Sequence, residues 1–313
     1  MLNKMERWLK NWKIIIRDFF VCIGFLWLIT EVSSFFFEGF IKSIKDDYGI
    51  WLFGIFLLIG LLFSVIKNFP KSSFKVKMRN KDSWISLKIG DAFKNNGSLI
   101  IPINNHLDSY LNGNLAKAKS LHNKLITDYF NKNHEELDKL IAKNLKNTTK
   151  PLEIGSVVEI EKNTKQYYFI EKTKRFYLLV NTIKQDNNRV NSTIDDFMTS
   201  IIKLWDFLST DTTKGEAVTI PLINTQHGRN SDLTREVVVK QIIDTFIDSS
   251  KHKSISEELI IAIHPSDIEK GNLDFDKLCD YLSFQAQNYK AIKFDIKPSG
   301  QEIESSTIIG IES

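Results

Sequence analysis

Two cysteines in 313 residues, Cys22 and Cys279, are too few to staple a fold, and their scarcity fits a reducing compartment. There are no paired CxxC ligands and no His/Cys/Asp cluster at metal-ligand spacing, which leaves structural zinc without a site. There is no GxSxG elbow and no Walker-type loop, so acyl-transfer and P-loop chemistry fail on content. Downstream of residue 82 no basic excess exists either, with 29 Lys+Arg against 31 Asp+Glu. That balance excludes a nucleic-acid-binding domain of the usual basic kind. What is present, 42% hydrophobic and 26% charged residues, excludes both a disordered polar chain and a multi-pass transporter.

The positive charge is concentrated at the start, where residues 1–82 hold 13 Lys+Arg and 7 Asp+Glu. Here the solvent changes. Residues 48–66 read YGIWLFGIFLLIGLLFSVI without a charge, and at ~1.5 Å per residue this run matches a hydrocarbon layer. Residues 19–37, FFVCIGFLWLITEVSSFFF, are as long but carry Glu31 and two serines. They read as a second span, or alternatively as an interfacial amphipathic helix. A hairpin turning around residues 42–47 would bury Glu31 against the partner helix. Lys4, Arg7, Lys10, Lys13 and Arg17 precede the first run, and Lys67, Lys71, Lys75, Lys77, Arg79 and Lys81 follow the second. The positive-inside rule then keeps both termini in the cytoplasm. A cleavable signal peptide is not expected, because the first run is too long and a second follows directly. The chain thus divides into a transmembrane hairpin (1–68), a polar juxtamembrane linker (69–82) and a cytosolic body (83–313).

The body alternates strand-like and helix-like runs. Strands are expected at 84–89, 98–103, 156–160, 167–180, 217–223, 259–263 and 291–296, the apolar ones buried on both faces. Helices are expected from Ser192, paired with Asp195 at capping-box spacing, from about Asp232, and over 275–286. The order predicts a three-layer α/β/α fold with a mixed sheet. In such sheets ligands sit beyond the strand ends, and three places there carry suitable chemistry. Gly90-Asp91, followed by Ala92 and Phe93, puts a carboxylate at a strand end, with Asn104 and Asn105 ending the next strand. Asp can accept from an exocyclic amine and Asn can bond ribose hydroxyls; a plain turn with Asp as helix cap is the alternative. Gly155-Ser156 opens a strand where a backbone could approach a phosphate. The loop 224–230, NTQHGRN, leads into a helix and offers amides, Gly228 and Arg229 to a diphosphate, or is simply a polar loop.

Five ordered motifs, IGDAF (89–93), LIIPINNHLDS (99–109), SLHNKLI (120–126), IGSVVEI (154–160) and IPLINTQHGRN (220–230), resemble the divergent bacterial macro domain that follows a transmembrane hairpin in type II Thoeris antiphage effectors. The resemblance implies a cleft for an ADP-ribose conjugate in which Asp91, with Ala92 beside it, recognises adenine and Asn104 and Asn105 lie near the distal ribose. Gly155, Ser156 and the loop residues Thr225, Gln226, His227, Gly228 and Arg229 would hold the phosphates, and His122 and Lys124 the distal end of the ligand. It further implies a nucleotide messenger made by a TIR-domain enzyme, possibly a histidine conjugate of ADP-ribose. The effector would bind it, self-associate and damage the lipid bilayer, with no resident cofactor. Hydrolytic macro domains carry a glycine-rich segment after their asparagines, whereas residues 105–119 hold only Gly113, so a ligand-gated effector is expected rather than an enzyme. A membrane-tethered hydrolase or reader of ADP-ribosylated proteins is the alternative.

Overall fold

The computed structural model describes residues 12–69, 71–79, 81–107, 120–145, 151–165, 171–185, 190–210, 216–223, 233–271 and 273–288. The expected last strand at 291–296, the glycine-poor stretch 108–119 and loop 224–230 lie outside them. Two long apolar helices come first, α1 (Trp12–Phe36) and α2 (Glu38–Lys67), each long and apolar enough to cross a membrane. They pack on each other where α1 begins and α2 ends. Ser64 donates to the Ile15 carbonyl at 2.5 Å, Asn68 to the Asp18 carboxylate at 3.0 Å, and Lys67 lies 3.1 Å from that carboxylate. Asp18 is thereby buried and fully answered, while Gly60 lets Phe19 and Ile23 come close.

Two expectations for this region are corrected. The helices break at Phe37, not at residues 42–47, which are helical. That hexapeptide is polar, but it contains no Gly or Pro, and polarity alone does not stop a helix. Glu31 is exposed rather than buried against α2. The stripe of α1 turned toward α2 runs through Phe19, Ile23, Leu26 and Thr30, which are half-buried.

The body is a mixed sheet in the order β1-β2-β8-β7-β3-β5-β4. Its strands are β1 (Ser73–Lys77), β2 (Trp84–Ile89), β3 (Ser98–Asn104), β4 (Val157–Lys165), β5 (Glu171–Lys184), β6 (Val190–Asn191), β7 (Ala217–Pro221) and β8 (Glu258–Ile263). The five strands β2, β8, β7, β3 and β5 run parallel, so their C-terminal ends share one rim. Strands β1, β4 and the short β6 add antiparallel to β2 and β5. The linker expected at 69–82 is therefore partly sheet: β1 lies inside it, because FKVK alternates and its edge position tolerates the lysines.

Alternation splits the core into two layers. Ile85, Leu87, Ile100, Tyr177, Leu179, Val218 and Ile261 face α5 (Ile194–Thr210), α6 (Arg235–His252) and α8 (Phe275–Gln287). On the other face Leu99, Ile101, Phe176, Leu178 and Val180 meet α3 (Leu121–Tyr129) and α4 (His134–Asn144). A short helix, α7 (Pro265–Glu269), follows β8. The cap of α5 is one residue later than expected: Thr193 and Asp196 bond reciprocally. Ser192 is instead buried, donating to the Asn181 carbonyl. A serine drawn into a buried backbone bond is unavailable as a cap, and the adjacent Thr provides the same chemistry.

Candidate functional site

The rim of the parallel strands collects residues that are far apart in sequence. Strand β2 ends at Ile89, and Gly90 continues the ladder by donating to the Ile263 carbonyl at 2.9 Å. Asp91 then caps a single 3-10 turn, Ala92–Lys94, accepting from the Phe93 amide at 3.1 Å. Its second carboxylate oxygen pairs with the Lys124 ammonium from α3. Partial burial opposes the charged carboxylate, but Lys124 and the Phe93 amide outweigh it and hold the Asp91 carboxyl below the usual carboxylate range. Beneath the pair, Lys124 lies over the Phe93 ring at 5.1 Å, Phe93 against Tyr129, and Tyr129 edge-on to Phe176. Ala92 and Phe93 are buried. Lys174 pins the turn from below by donating to the Phe93 and Asn95 carbonyls.

Three strands away the end of β3 forms a second cluster. Asn104 accepts from the His106 amide at 2.9 Å in a tight turn that puts Leu107 at φ 53°. Asn105 is buried, and its side-chain oxygen accepts from the Lys184 amide while its carbonyl accepts from Leu152. Both asparagine side-chain oxygens are thus committed to backbone amides. The Leu152 contact brings the Gly155-Ser156 turn to the same rim, where the Gly155 amide donates to the Val180 carbonyl at 2.8 Å. Gly155 has φ 85°, and a Cβ there would stand 2.5 Å from Lys203 Cδ. Only glycine satisfies that turn, and the space beside its α-carbon belongs to the Lys203 stem.

Between the clusters lie the ends of β7 and β8. Residues Thr225, Gln226, His227, Gly228 and Arg229 fall outside the described residues, which resume at Leu233. Thr234 caps α6, two residues later than the helix start expected at Asp232. Arg235 then pairs with buried Asp267 of α7 at 3.1 Å. Burial pushes the Asp267 carboxyl up, and Arg235, His264 and Lys270 pull it partly back. This brace ties the first turn of α6 to α7, and nothing in the sequence signalled it, because the partners are 32 positions apart and neither belongs to a motif.

The structure therefore brings together Asp91, Ala92 and Lys124 at one place on the rim, and Asn104, Asn105, Gly155 and Ser156 at another. Three inter-strand steps of ~4.8 Å separate the ends of β2 and β3, about 14 Å. Lys124 corrects an expectation: it stands with Asp91, not with the asparagines, because α3 buries Leu125 and Ile126 against the sheet and leaves the preceding lysine to reach the 3-10 turn. His122, on the same helix, is buried. Among the described residues no His/Cys/Asp/Glu group is arranged to hold a metal.

Among solved structures, a mutant of the Oceanobacillus iheyensis macrodomain shares 13% identity at a TM-score of 0.44, covering 69% of this chain and 96% of that one. The structure of that macrodomain with ADP shares 11% at 0.40, covering 69% and 100%. A further mutant of it with ADPR shares 12% at 0.40, covering 68% and 99%. No curated protein matches the chain. The family described as Thoeris protein ThsA, Macro domain, matches residues 85–264, which run from the second residue of β2 to the residue after β8 and include every candidate residue expected from the sequence. With more than half of its length in that match, the chain belongs to the ThsA macro-domain family of Thoeris proteins.

Proposed function

We propose that the chain is a membrane-anchored antiphage effector whose rim binds an ADP-ribose-derived signal made by a TIR-domain enzyme. Binding then drives self-association and membrane damage. The observation that carries this reading is the path from rim to hairpin. Because β1 is antiparallel to β2, its first residue lies beside the last residues of β2: Ser73 is paired with Lys88, and the Ile89 amide donates to the Ser72 carbonyl at 2.8 Å. Asp91 follows Ile89 by two positions, and Ser72 follows the end of α2 by five. A ligand that repositions Asp91 thus acts on a strand pair joined almost directly to the helices. Such coupling requires only that the ligand favour one arrangement over the other, and confinement to a membrane lowers the cost of gathering copies.

The pairing of Asp91 with Lys124 supports a polar ligand end there: an exocyclic amine can take the place of the lysine ammonium, which is then released toward an anionic group. Gating rather than hydrolysis is supported by Asn104 and Asn105, whose side-chain oxygens each accept from a backbone amide and so act in holding the turn at the end of β3. Both chain ends lie on the cytoplasmic side in this reading, where the signal is made.

Calorimetric titration of the full-length protein in nanodiscs with ADP-ribose and its amino-acid conjugates tests the proposal. The full chain is needed because truncation at residue 83 removes β1 from the sheet. Binding is expected for at least one of these ligands and is expected to be lost on Asp91→Ala with unchanged circular dichroism. Equal affinity in the variant, or turnover of the ligand, would remove the reading.

A further inference from the structure

Strand β1 ends the described sheet on one side, paired with β2 alone. In an antiparallel pair, the backbone groups of successive residues turn alternately toward the partner and away from it. The Ile89 amide donates to the Ser72 carbonyl and the Met78 amide to the Ser83 carbonyl, which fixes the phase. Ser72, Phe74, Val76 and Met78 are turned to β2, so the amides and carbonyls of Ser73, Lys75 and Lys77 point outward. Among the described residues nothing bonds those three amides. The next outward amide of the series, that of Arg79, is already taken: it donates at 3.1 Å to the Ala286 carbonyl in the last turn of α8.

This edge is shaped to receive a strand. Phe74 and Val76 pack on the core beside Leu87 and Ile85, yet both are only half-buried. Edge lysines commonly fend off a neighbour, but here Lys75 reaches back over the sheet to Glu258 at 2.6 Å and Lys77 is held by Asp82 at 2.8 Å. Both ammonium groups are thus drawn away from the edge.

We propose that the outer edge of β1 is the docking site of residues 291–296 of the same chain, added as a strand antiparallel to β1. Those residues lie outside the described ones, and their sequence, AIKFDI, places Ile292, Phe294 and Ile296 in alternation with Lys293 and Asp295, the period of a half-covered strand. Pro298 and Gly300 follow as breakers. The description stops at Asn288, two residues past the carbonyl that Arg79 holds, so the chain is delivered to the Lys77 end of the edge and needs only residues 289–291 to turn onto it. The path from β8 through α8 to this strand repeats that from β7 through α6 to β8. In both, the two strands are parallel, the helix lies on the same face and the chain moves the same way across the sheet. The two crossovers therefore share one hand, as parallel connections within a sheet do. With Asp295 opposite Lys75, Phe294 lies beside Val76 and Ile296 beside Phe74, while Lys293 meets Lys77, whose charge Asp82 already answers. A second copy's β1 fits the edge less well, because a pair centred on Lys75 sets lysine against lysine.

Disulfide cross-linking of the full chain in nanodiscs, with Cys22 and Cys279 replaced by alanine, tests the assignment. Lys75→Cys with Asp295→Cys should form a disulfide within one chain, identified by mass spectrometry of the linked peptides. Lys75→Cys with Ile296→Cys, whose side chain would leave the opposite face, should give about tenfold less. Hydrogen exchange of the unsubstituted chain, read residue by residue, supplies a measurement free of any variant. The amides of Lys75 and Lys77 should be as protected as those of Phe74 and Val76. Truncation after Asn288 should speed the first two about a hundredfold and leave the second two slow. Rapid exchange of Lys75 and Lys77 in the full chain, or equal cross-linking from positions 295 and 296, would overturn the inference. So would Lys75→Cys chains linked to one another, or to separate chains carrying only Asp295→Cys, since either gives the edge to a second copy.

Discussion

The hairpin and the body use the same apolar residues in opposite ways. In the body Ile85, Leu87, Trp205 and Phe246 are 0% exposed, while in the hairpin Ile50 is 89% and Phe35 82% exposed. Polar groups invert as well: Asp18 is buried among Arg17, Lys67 and Asn68, whereas the carboxylates of the body sit mostly at its surface. In the proposed reading, what differs is the solvent each part is built for. A body in water gains stability by hiding apolar area, but lipid is as apolar as leucine, so helices that cross it are held by close packing and by a few polar bonds such as those around Asp18.

Substituting one residue type in both regions tests this most sharply. Trp205 is fully buried against Phe246 and donates to Thr245 at 3.0 Å, so Trp205→Ala should cost the body about 4 kcal/mol. Trp51→Ala, at a position 75% exposed, should leave thermal unfolding of the body unmoved. A shift of similar size in both would dissolve the distinction. Next in size is the Arg235–Asp267 brace at the start of α6. Arg235→Ala leaves Asp267 charged and buried, and should lower stability by ~3 kcal/mol, whereas Arg235→Met with Asp267→Leu together should recover most of it. Denaturant midpoints at constant slope decide between them.

The smallest effect belongs to the Asp91–Lys124 pair, which is partly exposed, so Lys124→Ala should cost under ~1 kcal/mol. Its pH dependence has a definite sign. The folded Asp91 carboxyl lies below its ordinary value of 3.8, so its contribution is present above pH 3.8 and is lost as pH falls through the folded value. Acid unfolding of Lys124→Ala should therefore lose part of that dependence, and an acid limb identical to that of the unsubstituted chain would show that the pair is not formed in solution.

Much of the body was legible because its signals are local. Runs such as LIIPI and LIIAI suit strands buried on both faces, and the alternation of WISLKI places Ile85 and Leu87 inward without help from elsewhere. Asp91 was legible as a strand-end carboxylate by the same logic. Lys124 was misplaced because its neighbour is chosen by how α3 packs, and β1 was hidden in a lysine-rich stretch whose edge position makes those lysines harmless. Phe37 and Thr193 show the same limit at a finer scale: each boundary was set one or more residues away by a contact the local pattern does not contain.

By itself the sequence determined the two long apolar helices ahead of an α/β body, the strand and helix periods, and the types of side chain that end the strands, because hydrophobic period and run length act within a few residues. Only the tertiary structure decided that Lys124 answers Asp91, that the asparagine oxygens are spent on the backbone, that the rim is hydrogen-bonded to the exit of the hairpin, and that Glu31 faces away from α2. Each of these depends on which distant segments pack together, and packing is settled by shape and depth across the whole chain.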